Sequence, residues 1–284
     1  MQFQRIYVEI GNICNLSCSF CAGTVRRKKQ MTEEEFRHIV RKLKGYTDYL
    51  YFHVMGEPLL HPLLEQFLQI SKENGFSVCI TTNGTLLPRS EEMLLRNADC
   101  IHKIAISLHA QEGNGQKDDA YMHNAISFAK KAADQDIFTV LRLWNEDSAE
   151  GLGRNTQNAR IEQILHQSFP MPWKPRQKGS RLDRYIFLEY DGVFTWPTES
   201  AADQCAEGFC HGMLHQLAVL ADGTVVPCCL DANGEIPLGN LFDSSLQELL
   251  EQPRATNMRE GLRRGELVEA LCQKCTFSRR FSLK

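Results

Sequence analysis

Over the first 190 or so residues, short β-branched and aromatic runs alternate with longer stretches whose apolar residues recur every three to four positions. The short runs predict strands at Arg5–Ile10, Tyr49–Val54, Val78–Thr82, Lys103–Leu108, Ile137–Trp144 and Tyr185–Leu188. The longer stretches predict helices at Thr32–Leu43, Leu60–Asn74, Glu91–Arg96, Asp118–Asp134 and Arg154–Gln167. Thr32 and Glu35 stand at capping-box spacing, and Gly75 is placed to close the second helix. Strand–helix alternation of this kind builds a parallel sheet from right-handed βαβ units, so the expected fold class is α/β. Six repeats suit an open doubly wound sheet or a partial barrel.

Within the strands, side chains sort onto two faces. Leu50, Phe52 and Val54 share a face fit to pack on helices, whereas Tyr51, His53 and Met55 share the other. Ile104, Ile106 and Leu108 likewise oppose Lys103, Ala105, Ser107 and His109. Tyr7 and Glu9 fit the same inner face of the first strand. A lumen written with polar residues is suited to a polar ligand, with Tyr51, His53, His109 and Glu189 as candidate substrate contacts. Further on, the rhythm changes. Phe169–Gly179, with Pro170, Pro172 and Pro175, reads as a loop. Leu188–Phe194 reads as a hairpin about Asp191-Gly192, and Leu217–Val226 as another about Asp222-Gly223. Ser245–Glu251 reads as a short helix. We expect two domains, 1–185 and 186–284. The C-terminal one reads as a small module needing a metal staple.

Composition changes this picture at one point only. Apolar residues are 43% and charged residues 24%, which is ordinary for a globular chain. A net charge of −3 gives no reason to expect a nucleic-acid partner. The N-terminus lacks a signal-peptide pattern, and no run approaches the ~20 apolar residues of a membrane helix. We therefore expect a cytoplasmic protein with reduced thiols and no membrane partner. The eleven cysteines are unusual in that setting, and an odd number cannot all pair. Cys14, Cys18 and Cys21 follow the first strand, with no fourth ligand nearby. Three thiolates on a four-iron cluster leave one iron open to a small molecule. Cys210, Cys228, Cys272 and Cys275 combine a hairpin pair with a terminal knuckle. Such a set fits tetrahedral zinc or a second cluster, and chemistry alone leaves both open. Cys79 and Cys100 read as small buried apolar residues, and Cys205 and Cys229 have no assigned role.

The spacing Cys14-x3-Cys18-x2-Cys21, with Phe20 before the last cysteine, resembles the signature of the radical S-adenosylmethionine (SAM) enzymes. Gly56-Glu57-Pro58 after the second strand and Thr82-Asn83-Gly84 after the third resemble two further turns of that family, with Met55 where a first glycine is usual. The resemblance implies a partial (β/α)6 barrel with a [4Fe-4S] cluster held by the three cysteines. It also implies SAM contacts from Gly56, Glu57, Pro58, Asn83, Ser107 and Arg142. Leu217–Cys228 and Leu238–Leu241 resemble the twitch module, a shortened SPASM domain. That implies an auxiliary [4Fe-4S] cluster on Cys210, Cys228, Cys272 and Cys275. The implied activity is reductive cleavage of SAM to a 5′-deoxyadenosyl radical that takes hydrogen from a substrate. The electron donor would be a flavodoxin or ferredoxin. A small nucleoside-like substrate is favoured, with Trp144, Trp173 and Trp196 available for stacking. Glu189–Pro197 is similar to queuosine lyases, which free queuine from queuosine or its 5′-phosphate. Peptide modification is the alternative within the family. A non-catalytic iron–sulfur or zinc protein is the alternative outside it.

Overall fold

The computed structural model describes residues 2–113, 119–144, 156–192, 196–198 and 205–280. Its strands are β1 (Arg5–Val8), β2 (Tyr49–Phe52), β3 (Ser77–Thr82), β4 (Ile101–Ser107) and β5 (Phe138–Leu143). They continue with β6 (Lys174–Arg176), β7 (Gly179–Arg181), β8 (Ile186–Tyr190), β9 (Gln216–Val219) and β10 (Val225–Val226). All ten join one sheet in the order β10-β9-β1-β2-β3-β4-β5-β8-β7-β6. The six central strands, β1 to β5 and β8, run parallel, and the sheet does not close on itself. This is the expected α/β partial barrel.

The sheet continues past the six expected strands at both edges. On one side β9 lies parallel to β1, and β10 returns antiparallel to it across the Asp222-Gly223 turn. Gly223 has φ +84, and a Cβ there would lie 2.6 Å from Asn240 Oδ1, so the turn requires glycine. The C-terminal segment is thus hydrogen-bonded into the barrel sheet, and the expected division at 185/186 falls just before barrel strand β8. On the other side Phe169–Gly179 is not a loop throughout. Lys174–Arg176 pairs with Gly179–Arg181, which pairs with β8. Pro175 stands in the edge strand β6, where a missing N–H costs the ladder little. That pairing also replaces the hairpin expected about Asp191-Gly192: β8 takes β7 and β5 as neighbours, and residues 193–195 lie outside those described.

Helix Glu33–Leu43 begins at the Thr32–Glu35 capping box. The next helix is shorter than expected, Leu64–Glu73, because Pro58–Leu60 forms a separate 3-10 turn. The third is longer, starting at Leu87 with Pro88 in its first turn. Helix Arg154–Gln167 is observed as Asn158–Ser168, and helix Pro253–Arg264 was not expected. Leu50, Phe52, Ile104 and Ile106 pack outward into the main core between sheet and helices, while Tyr7 and Val54 belong to a separate inner cluster. The alternation holds to Phe52, where β2 ends. Beyond it Val54, not Met55, faces the lumen.

Phe36 is fully buried, stacked on Phe67 at 4.2 Å and edge-on to Phe52 at 5.6 Å. Phe36→Ala should cost about 3–5 kcal/mol in denaturant unfolding by leaving a cavity between the first two helices and β2.

Candidate functional site

Loops at the C-terminal ends of the parallel strands surround one cavity of about 730 Å³. Cys14, Cys18 and Cys21 line it, and so do Cys210, Cys228, Cys272 and Cys275. The first loop is built for exposed sulfur. The backbone N–H of Leu16 donates to Cys14 Sγ and that of Gly23 to Cys21 Sγ, each at 3.4 Å. Asn83 Nδ2 also faces Cys14 Sγ at 3.9 Å. Burial, with Cys21 and Cys14 adding repulsion, pushes the Cys18 thiol up to about 12. Cationic iron would relieve that cost by taking the thiolate form. Among the described residues, no three Cys, His, Asp or Glu side chains close around a single metal ion. A four-iron cluster is larger than one ion and spaces its thiolates more widely, and an all-thiolate donor set suits it.

Two turns buttress this loop. Gly56 has φ +83, and a Cβ there would sit 2.4 Å from Gly11 O and 3.0 Å from Asn12 Cα. Only glycine lets the second-strand turn press against the cysteine loop, and Glu57 N–H then donates to Ile13 O at 2.9 Å. The Glu57 side chain is buried and turned inward. It accepts from the N–H of Leu59 at 3.0 Å, the hydroxyl of Thr82 at 2.7 Å and the N–H of Asn83 at 2.7 Å. Gly56-Glu57-Pro58 and Thr82-Asn83-Gly84 are therefore locked together through one carboxylate. Burial raises the Glu57 carboxyl, opposed by those same donors. Gly84, at φ +79, is crowded by Tyr121, whose hydroxyl donates to Asn83 O at 2.9 Å. Tyr121 sits on a distant helix, and nothing in the sequence marked it.

The lumen below is lined by Tyr7, Tyr51, His53, Lys103, Ser107 and Arg142 among others. Ser107, Arg142 and Glu189 are paired in register across β4, β5 and β8, so the three expected contacts form one row. His109 also lines the cavity, its Nδ1 donating to Arg142 O at 3.1 Å and its ring 4.9 Å from Phe20. His53 is pushed down to about 3, by burial first and then by the charges of Arg142, Lys103 and Arg5. Its ring is therefore neutral at neutral pH. Glu9 does not join the lumen. It is fully buried, ion-paired to Arg26 at 2.5 Å, and accepts from the N–H groups of Met55 and Ala221. Trp144 and Trp196 reach the cavity, while Trp173 stacks on His166 at 4.1 Å outside it.

Residues 8–133 match the radical SAM superfamily, and residues 210–276 match the SPASM iron–sulfur cluster-binding domain. The chain thus carries a SPASM domain and, before it, a domain of the radical SAM superfamily. Its members bind SAM and a [4Fe-4S] cluster, and SPASM domains bind auxiliary clusters. Among its relatives is a SAM-dependent 2-deoxy-scyllo-inosamine dehydrogenase of Niallia circulans, 23% identical over 96% of this chain and 92% of that protein. A cofactor-modifying protein for tungsten-containing aldehyde ferredoxin oxidoreductase of Pyrococcus furiosus is 33% identical, over 33% of this chain and 27% of its own length. A GTP 3′,8-cyclase of Chlorobaculum tepidum is 32% identical, over 32% of this chain and 28% of its own length. The chain thus spans about a quarter of the length of those last two relatives. In fold it is similar to BtrN in complex with AdoMet and 2-DOIA, with TM-score 0.60, 18% identity, and 97% of this chain and 94% of that one covered.

The second cysteine group is a mutually interacting set. Cys228 is pushed well up by burial and then by Cys229, Cys210 and Cys272, while Cys210 and Cys272 each feel Cys275. The two unassigned thiols part company. Cys229 packs against the inner cluster that contains Tyr7 and lines the cavity. Cys205 is exposed, lies outside the cavity and donates to Glu207 O.

Gly45 has φ +86 with nothing within 4 Å of an added Cβ, whereas Gly56 is crowded by backbone. Gly45→Ala should cost about 1–2 kcal/mol of strain, and Gly56→Ala clearly more, in paired thermal melts. His53 gives a pH test. Its ordinary value is 6.5 and its folded value about 3, so below 6.5 the unfolded chain takes up a proton that the folded site refuses. Stability is full above that value and falls as pH drops, by about 1.4 kcal/mol per unit. Urea unfolding at pH 7.5 and 5.5 should show a loss in the parent larger by about 1.4 kcal/mol than in His53→Phe, because His61 and His109, both pushed down to about 4 by burial, contribute equally to the two.

Proposed function

We propose that this chain cleaves SAM reductively and removes a hydrogen atom from a small polar, nucleoside-like substrate held in the barrel lumen. Release of queuine from queuosine or its 5′-phosphate is the particular reaction proposed. One observation carries the reading: the three-cysteine loop, the Gly56–Pro58 and Thr82–Gly84 turns and the polar lumen all open into a single cavity. The relatives that act on nucleotides or an aminocyclitol by name support a small polar substrate over a peptide. Trp144 and Trp196 offer stacking surfaces for a base.

Bound SAM and cluster would supply the 5′-deoxyadenosyl radical, and the chain's own residues do the rest. Cys14, Cys18 and Cys21 hold the cluster. The Gly56–Pro58 turn presents its backbone to the SAM amino group, and Glu57 positions that turn by anchoring it to Thr82 and Asn83. Asn83 and Ser107 address the polar parts of SAM, and Arg142 is given to the substrate side of the lumen, where it faces Glu189. Tyr51, His53, His109 and Glu189 address the substrate, with His53 acting as a neutral hydrogen-bonding group. Cys210, Cys228, Cys272 and Cys275 hold an auxiliary cluster in the segment that follows barrel strand β8. The walls exclude water from the radical. A flavodoxin or ferredoxin in the cytoplasm would supply electrons. Among the described residues, no helix is long and apolar enough to cross a membrane.

Anaerobic reconstitution should load about eight irons per chain, four for each cluster. With dithionite, SAM should then yield methionine and 5′-deoxyadenosine, and Cys14→Ala should abolish this. A fully loaded protein that releases no 5′-deoxyadenosine would sink the radical reading. Failure to release queuine while SAM is still cleaved would remove the substrate alone. Deuterium transfer into 5′-deoxyadenosine from a peptide but no nucleoside would move the chain to peptide chemistry.

A further inference from the structure

The lumen holds more positive charge than its surroundings answer. The Arg5 guanidinium lies 5.5 Å from the Tyr51 ring centroid and Lys103 Nζ lies 5.1 Å from it. Tyr51, Cys79 and Lys103 are consecutive register partners across β2, β3 and β4, so these groups share one layer of the barrel. Arg142, one strand further round, stacks over Trp144 at 4.3 Å. Its side chain is only 12% exposed, and its buried Nε has no hydrogen-bond partner. Glu189 Oε2 stands 3.7 Å from that Nε, beyond hydrogen-bond reach. Among the described residues, Glu189 is the only carboxylate ion-paired with any of the three cations. Its own side chain is 42% exposed, so it screens them weakly.

Three cations against one carboxylate leave two positive charges in a partly dry cavity. Charge buried without a partner is costly, and an orphaned donor on a buried guanidinium calls for an acceptor. The candidate cluster thiols do not supply it. The principal groups acting on Arg5, Lys103 and Arg142 are one another, Tyr7, Tyr51, Glu189, Cys79 and Cys229. Burial and the two neighbouring guanidinium groups pull Lys103 down, which an anion between them would reverse.

We propose that Arg5, Lys103 and Arg142 form an anion subsite of the substrate chamber, and that it takes the phosphate monoester of the substrate. A monoester carries about −1.5 to −2 charge near neutral pH, which matches the local excess. A carboxylate would leave one cation unanswered. Arginine offers a planar fork and lysine a point charge, a pairing suited to three phosphate oxygens. Tyr7 and Tyr51 line the same layer. This deepens the reading of the lumen as a substrate chamber and rests on it.

The test uses the full chain with both clusters reconstituted and SAM bound, without reductant, in calorimetric titrations. Ribose 5-phosphate should bind at least about tenfold tighter than ribose, and tighter than riburonate, the ribose ring with a single carboxylate at C5. Lys103→Met and Arg5→Gln should each erase the phosphate preference, and Lys103→Arg should restore it. Equal binding of ribose 5-phosphate and ribose overturns the subsite. Riburonate matching the phosphate overturns its assignment to a dianion. A parallel loss of SAM affinity in Lys103→Met and Arg5→Gln overturns it by giving the cations to the SAM carboxylate. Binding is read without turnover, so a failure here is distinct from a failure to cleave SAM.

Discussion

Strand β1 has a parallel neighbour on each side. One is β2, its successor in the barrel, and the other is β9, from the far end of the chain. The β9 contact is sealed by Glu9, whose buried carboxylate accepts from Ala221 N–H, 212 residues away in sequence, from Met55 N–H, and from Arg26. One side chain thus ties together the C-terminal segment, the turn after β2 and the three-cysteine loop. A buried carboxylate is costly unless fully engaged, and here each interaction is also a structural joint. Removing any one partner would leave the others poorly satisfied.

The two cysteine groups share a cavity because of that pairing. Arg26 continues the joint by donating to Ala232 O, and Thr24 bonds both Ala232 and Asn233. The loop carrying the first three thiols is therefore braced directly by residues just after Cys228 and Cys229. The opposite side of that loop is braced by Gly56, and Gly56 in turn by the Glu57 latch to Thr82 and Asn83. The chemistry is arranged on loops, but three separate parts of the sheet hold the loops in place.

The same geometry divides the polar residues into two kinds. Glu9 and Glu57 are consumed by structure, and their acceptor capacity goes to backbone N–H groups and neighbouring side chains. Arg5, Lys103, Arg142 and His53 are left to the lumen. His53 stays neutral beside three cations, so it can donate or accept a hydrogen bond without adding to their charge.

Much of this was legible in the sequence. Periodicity alone gave the parallel core, because outward positions such as Leu50, Phe52, Ile104 and Ile106 must be apolar to meet helices. Cysteine spacing singled out both thiol groups, and the fold brings the two to one cavity. Capping chemistry gave the start of the first helix at Thr32. What the sequence could not give is how distant segments pair. The strands Lys174–Arg176 and Gly179–Arg181 carry a proline and several charges that read as a loop, and only an open edge beside β8 turns them into sheet. Glu9 and Met55 point inward by alternation, but local hydrogen bonding and the end of β2 at Phe52 place both away from the lumen. Cys229 and Tyr121 carry no local signal, and their places beside Tyr7 and under Gly84 arise from contacts between remote parts of the chain. Residue type and spacing determined which chemistry this protein can support. The tertiary structure decided which side chains are used up as joints and which remain facing the cavity, because that division depends on non-local partners competing for the same buried donors and acceptors.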